Sequence, residues 1–211
     1  MSEPLVSISC ITYNHEKYIA DTIEGFLMQK TEFPFEILIH DDASTDRTAE
    51  IIRSYEKKYP DIIKPIYQTE NQYSQGKRPG SFNRRRAKGK YIAFCEGDDY
   101  WTDPYKLQKQ IDAMENNPEC NMCFHPVSIM KETGIMKPKL NYKYPKKIRI
   151  FSTKEAILKG AGFFPTASMI FRNNIEYMIH RPEWTSSLKG GHTYNVVLGS
   201  LGGGALFIPD I

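Results

Sequence analysis

The chain has no apolar run long enough to cross a bilayer, and its first residues, Met1–Leu5, are polar and lack a signal-peptide core. A cytoplasmic location is expected, with attachment to the inner membrane face as the alternative. Charge of one sign is also lacking. The 28 Lys and Arg against 25 Asp and Glu leave +3, too little to imply nucleic acid, and none is expected as a partner. Glycine-rich loops of the P-loop or dinucleotide-binding type are missing, as are internal repeats and low-complexity tracts. Cysteine is scarce. Cys10 and Cys95 sit in apolar runs and read as buried free thiols of a reducing compartment. Cys120 and Cys123 form a C-x-x-C with no second ligand pair at zinc spacing. His125 is a candidate third ligand, but packing is the preferred reading.

What the chain does have is the composition of a folded domain: 211 residues, 40% hydrophobic, 12% aromatic and 25% charged. That is enough to bury a core without staples. Leu5–Ile11 is apolar and β-prone, so a buried strand is expected. Tyr18, Ile19, Ile23, Phe26 and Leu27 recur at helical spacing and predict a helix from Glu16 to Met28. A second strand, Phe35–His40, stops at Asp41. Ser44 or Thr45 can cap the next helix, which runs to Lys58 ahead of Pro60. There follow a strand over Ile63–Gln68, a polar loop over Thr69–Pro79, a stretch holding Arg84, Arg85, Arg86 and Lys88, and a buried strand over Tyr91–Cys95. Pro104 opens a helix whose core face is Leu107, Ile111 and Met114.

Alternating strands and helices predict an α/β fold, a parallel sheet with helices on its faces. The remainder is less regular. Strands are expected over Met122–Met130, Ala167–Phe171 and Ala205–Ile208, helices over Thr153–Leu158 and His192–Leu201, and a loop over Tyr142–Lys147. Residues 1–120 form one half and 121–211 a smaller lobe of the same domain.

In an open parallel sheet, ligands bind beyond the carboxyl ends of the strands. Three polar clusters follow strands directly: Thr12-Tyr13-Asn14, Asp41-Asp42 and Glu96-Gly97-Asp98-Asp99. The fold should bring them to one edge. Ser44 and Asp46 read as turn and cap residues. Asp41 and Asp42 are adjacent carboxylates that repel and need donors, which a nucleobase or ribose would supply. Glu96, Asp98 and Asp99 are hard oxygen ligands suited to Mg²⁺ or Mn²⁺ carrying substrate phosphates. Tyr100 and Trp101 either pack the next helix or floor a sugar or acceptor pocket. The Arg84–Lys90 run is a solvated face, or else meets diphosphate oxygens or lipid headgroups.

The segments Val6–Asn14, Glu36–Thr48 and Ala87–Asp99 together resemble glycosyltransferase family 2 in order and spacing, over about the first 115 residues. The resemblance implies a GT-A fold, Rossmann-like, with a smaller acceptor-side lobe. It also implies an inverting transfer from a nucleotide diphosphate sugar, commonly a UDP-sugar, to an acceptor hydroxyl with Mn²⁺ or Mg²⁺. By that resemblance the Thr12-Tyr13 segment with Asn14, and Asp42, contact the base, with Asp41 beside it. Asp98 and Asp99 correspond to the family's DxD region, which holds ribose and the diphosphate-bound metal, and Glu96 stands for the more usual first Asp.

An inverting transfer needs a general base for the acceptor proton. The family's place for it falls near His192, and Glu183 is the other candidate. By analogy the acceptor is an oligosaccharide or is lipid-linked, as in surface polysaccharide synthesis. Peripheral membrane contact is part of that expectation. The chain stops at Ile211, where relatives continue, so a truncated C-terminus is expected. A sugar-1-phosphate nucleotidyltransferase is the rival enzyme, but Thr12–Glu16 lacks the glycine loop it needs. A nucleotide-binding member without turnover is the non-enzymatic alternative.

Overall fold

A computed structural model describes residues 3–130, 136–137, 142–173, 196–197 and 199–211. They divide into two compact units, Met1–Gln108 and Lys109–Ile211. In the first unit strand and helix alternate as β1 (Val6–Thr12), α1 (Ile19–Leu27), β2 (Phe35–Asp41), α2 (Thr48–Lys58), β3 (Ile63–Tyr67), α3 (Gly80–Arg86) and β4 (Tyr91–Glu96). The strands are all parallel, in the order β3-β2-β1-β4. β1 and β2 are buried almost throughout, as near-continuous apolar strands of a covered parallel sheet should be. The register sets Thr12 opposite Asp41, Asp41 opposite Tyr67 and Ile11 opposite Glu96. The carboxyl ends of all four strands therefore form one edge.

Helix α3 was not legible as a helix, and the basic stretch is divided by it. Asn83 is 0% exposed, and its Nδ2 donates to the Cys10 and Leu38 carbonyls at 2.9 Å each. The Arg86 guanidinium donates to Asn83 Oδ1 at 2.8 Å and to the Ile39 carbonyl at 3.1 Å. Arg86 thus fastens α3 to β2 instead of facing solvent. Arg84 lies over the Phe94 ring, while Arg85 and Lys88 are exposed.

Neither Ser44 nor Thr45 caps α2. The first helical residue is Thr48, whose N–H donates to Asp46 Oδ1 at 2.9 Å, while the Ser44 hydroxyl donates to Asp41.

Helix α4 (Lys106–Glu115) contains the division point. The second unit then holds β5 (Met122–Phe124), β6 (Ile129–Met130), β7 (Met136–Lys137), β8 (Arg149–Phe151), α5 (Thr153–Lys159), β9 (Ile170–Arg172) and β10 (Ala205–Phe207). β5 lies between β9, antiparallel, and β10, parallel; β8 adds antiparallel to β10, and β6 pairs with β7. The strand expected over Met122–Met130 is broken into β5 and β6. Pro126, with no N–H for a ladder, stands in the break. A 3₁₀ turn over Thr166–Ser168 likewise delays β9 to Ile170. Phe124 centres the core of this unit, with Phe164, Phe207, Phe163 and Phe151 at ring-centroid distances of 4.6, 5.3, 5.8 and 5.9 Å. Ser152 and Glu155 form a capping box on α5.

All four cysteines are free and buried. Cys120 donates to the Gly203 carbonyl and Cys123 accepts from Gln110, so the C-x-x-C serves packing. Among the described residues no helix is long and apolar enough to cross a membrane.

Candidate active site

The Thr12–Asn14, Asp41–Asp42 and Glu96–Asp99 segments gather at the carboxyl edge of the parallel sheet, because the register ends their strands together. The acidic turn is built from the backbone outward. The Asp99 N–H donates to the Glu96 carbonyl at 3.1 Å, and the Gly97 N–H to the Ile11 carbonyl at 2.9 Å. Buried Thr22 of α1 places its hydroxyl 2.7 Å from the Asp99 carbonyl and 3.1 Å from that of Gly97. A side chain at Gly97 has no room: its Cβ would stand 2.5 Å from Thr12 Oγ1, 2.7 Å from Thr12 Cβ and 3.0 Å from His15 Nδ1.

Glu96, Asp98 and Asp99 each bring an oxygen within 4.8 Å of the others. Among the described residues no Lys or Arg pairs with them, and the nearest nitrogen that can carry charge is His15 Nε2, 3.9 Å from Asp98. Burial, then the charges of Asp98 and Asp99, hold the Glu96 carboxyl above its ordinary range. Burial and then Asp98 do the same to Asp99, against the opposing pull of His15. Two buried polar atoms packed against Gly97, Thr12 Oγ1 and His15 Nδ1, have no hydrogen-bond partner among the described residues, at a cost in free energy. Three clustered hard oxygens of this kind fit a hydrated Mg²⁺ or Mn²⁺ with its phosphate ligand.

Crowded carboxylates give a testable sign. Raised folded-state values mean that the two groups favour folding at low pH, and that this contribution is lost as pH rises through those values. At neutral pH the metal-free protein therefore holds repelling charges. Glu96→Gln should raise its stability there by ~1 kcal/mol, about 2–4 °C in melting temperature. The variant should also forfeit stabilisation by added Mn²⁺. Melting curves with and without metal, at pH 5 and 7.5, check both halves. An unchanged or lower metal-free melting temperature at pH 7.5 would refute the repulsion.

The turns after β1 and β2 are tied to each other. Asn14 and Ala43 both have positive φ, 57° and 63°. The Asn14 N–H donates to Ser44 Oγ at 2.9 Å, and its Oδ1 accepts from the Thr45 N–H at 2.8 Å. The His15 and Glu16 amides bond Thr48 Oγ1 and Asp46 Oδ2. Asp41 accepts from the Ser44 hydroxyl, and burial holds its carboxyl above its ordinary value against that hydrogen bond.

Asp42 finds its donors within the chain. Oδ1 accepts from the Gln72 N–H at 2.9 Å and Oδ2 from the Tyr73 N–H at 3.0 Å, with His40 Nε2 3.3 Å from Oδ1. Burial lowers the His40 pKa against the pull of the Asp42 carboxylate beside it.

Tyr13 is 44% exposed at the rim and Tyr100 is half-buried. Trp101 is only 4% exposed, edge-on to Phe26 and beneath the Lys106 ammonium, so of its two readings packing is the one its surroundings fill. His192 and Glu183 lie outside the described residues. Thr22, His15 and His40 were missed. The signal for Thr22 and His40 was a polar residue in an otherwise apolar segment, whereas His15 lies within the polar turn after β1.

The glycosyl transferase family 2 model matches residues 7–177, a span that includes every one of these turns. The chain belongs to glycosyl transferase family 2. A Mycobacterium tuberculosis relative of no stated function is 39% identical over 82% of this chain and 48% of its own length. The Escherichia coli UDP-Glc:alpha-D-GlcNAc-diphosphoundecaprenol beta-1,3-glucosyltransferase WfaP is 41% identical over 53% of this chain and 41% of its own. The chain thus spans about half the length of the curated relatives it matches. Among solved structures, the mannosyltransferase PcManGT of Pyrobaculum calidifontis, in complex with GDP-Man and Mn²⁺, superposes with a TM-score of 0.68 at 17% identity, covering all of this chain and 56% of that one. This family 2 chain has the GT-A fold, with its acidic turn at the end of β4.

Proposed function

We propose that the protein transfers a sugar from a UDP-sugar to an acceptor hydroxyl, with inversion at the anomeric carbon. The observation that carries this reading is the trio of clustered carboxylates, without a Lys or Arg partner among the described residues, at the ligand-binding edge of a family 2 sheet. WfaP, by name, uses UDP-Glc and a lipid-linked diphosphate acceptor, which supports a UDP-sugar donor and an oligosaccharide or lipid-linked acceptor in surface glycan synthesis. The Mn²⁺ of PcManGT supports a divalent metal.

In this reading Glu96, Asp98 and Asp99 hold the metal, which when bound neutralises charge on the departing diphosphate. Asp98 also reaches the ribose. Thr12, Tyr13 and Asp41 line the nucleotide side, with Asn14 holding their turn to that of Ser44. Tyr100 lies on the sugar side. His192 or Glu183 takes the proton from the acceptor hydroxyl.

A thermal-shift screen of UDP, GDP, dTDP and CDP, each with and without Mn²⁺, tests this. UDP with Mn²⁺ at about 100 times its Kd should stabilise the protein by ~2.7 kcal/mol, about 5–10 °C. A shift with GDP alone would reassign the nucleotide. No shift with any nucleotide would end the proposal.

A further inference from the structure

Leu158 is 75% exposed, as much as any large hydrophobic side chain described, and its neighbour Ile157 is 56% exposed. Single exposed aliphatics are ordinary; these two invert their helix. Helix α5 buries Ala156, at 1% exposed, and leaves its two largest apolar side chains outside. Helical geometry puts Leu158 on the side away from Ala156 and beside Lys154, one turn back. The chain just ahead of the helix has the same character. Phe151 of β8 enters the core, while Ile148, between Lys147 and Arg149, is 59% exposed.

The charge around these side chains has one sign. Residues 143–159 hold six Lys and Arg, all exposed, against one acid, Glu155, whereas the rest of the chain holds 22 against 24. The positive excess of the whole chain is therefore concentrated here. Glu155 is already engaged, since its carboxylate accepts from Arg149 and from the Ser152 N–H. Lys146, Lys147 and Lys154 have no acidic partner among the described residues. The Arg84–Lys90 run differs on both counts. Its Arg86 bonds the Ile39 carbonyl and its Arg84 lies over Phe94, and no large aliphatic side chain is exposed within it.

Exposed aliphatics among lysines narrow the choice of partner. Protein interfaces are depleted in Lys and enriched in aromatics and Arg. A second copy would set like charges against each other across a two-fold contact. Lys147 and Arg149, at the free edge of β8, also discourage pairing with another strand; among the described strands β8 pairs with β10 alone. A purely anionic polymer would leave Ile157 and Leu158 in water. An anionic bilayer answers both features, because ammonium groups meet headgroup phosphates while aliphatic side chains enter the acyl boundary.

We propose that the 143–159 segment docks the protein on an anionic lipid surface, with Ile157 and Leu158 inserted and Lys146, Lys147 and Lys154 on the headgroups. This goes beyond the transferase reading. Docking needs neither nucleotide nor metal, so the two fail separately.

Co-flotation of the whole chain with vesicles tests it, with equal parts phosphatidylglycerol and phosphatidylcholine against phosphatidylcholine alone. The wild type should float with the anionic vesicles and not with the neutral ones. Each lysine at such a surface contributes about fivefold, so Lys146→Gln combined with Lys147→Gln should lower partitioning about 25-fold. Ile157→Gln combined with Leu158→Gln should lower it about tenfold or more at unchanged charge. Arg85→Gln combined with Lys88→Gln, which removes exposed charges of the other unit, should leave flotation at the wild-type level. Absence of flotation, equal flotation on neutral vesicles, or wild-type binding by either variant of the 143–159 segment would overturn the proposal. Equal losses in the Arg85 and Lys88 variant would overturn it as well, by reducing the attraction to general charge. A dimer in sedimentation velocity that the Ile157 and Leu158 variant loses would assign the face to a second copy instead.

Discussion

Replacing Asp99 by Asn is expected to lower sugar transfer by about a hundredfold or more while the chain stays folded. The two effects separate because this residue's backbone and side chain have different tasks. Its carbonyl accepts from Thr22 and its N–H bonds Glu96, which shape the turn; neither depends on the carboxylate. The side chain faces the acidic cluster and pairs with no Lys or Arg among the described residues. Asn has the same shape and removes one negative charge, so the turn survives and the cation site loses a charged ligand. Transfer assays over a Mn²⁺ titration, with circular-dichroism melts of both proteins, provide the check. Wild-type activity in the variant, or full activity of the wild type under a chelator, would remove the metal from the account.

Gly97→Ala should be the more damaging change to the protein itself. One added methyl would meet Thr12 Cβ at 2.7 Å and Thr12 Oγ1 at 2.5 Å. Turning the Thr12 hydroxyl aside relieves only the second contact, since Cβ is fixed by the backbone of β1. Relief must come from parting the ends of β1 and β4, where the Gly97 N–H bonds Ile11. Forced overpacking of this kind costs about 1–3 kcal/mol, a fall of ~3–10 °C in melting temperature. The displaced Glu96–Asp99 turn should also lose its Mn²⁺-dependent stabilisation. Melting curves with and without Mn²⁺ measure both. A variant with wild-type stability and an intact metal response would mean that the strand ends are not held as closely as described.

These two residues were readable in advance to different degrees. Asp99 could be singled out because carboxylates clustered after an apolar run signal hard-cation chemistry on local grounds. Gly97 was read only as the interruption between acids. The need for a glycine comes from Thr12, which is far away in sequence and brought near by strand pairing. Asp42 shows the same division more sharply. Two adjacent buried carboxylates in want of donors were legible, and a ligand was the natural candidate to supply them. The donors are the Gln72 and Tyr73 amides, thirty residues on, in a stretch whose composition said only loop. Trp101 had two readings, and Phe26 and Lys106 around it favour packing, while Arg86, read as solvated or as facing phosphate, instead bonds Asn83 and Ile39.

Apolar runs of strand length alternating with helical periodicity determined a parallel sheet, and with it the edge at which polar residues after each strand must meet. Those signals are local, carried by neighbours within a few positions, so one sequence suffices to read them. Which polar group answers which was decided by the tertiary structure alone. A buried carboxylate, amide or hydroxyl is satisfied by whatever donor or acceptor the folded chain brings within about 3 Å, and that partner leaves no mark on the sequence around it.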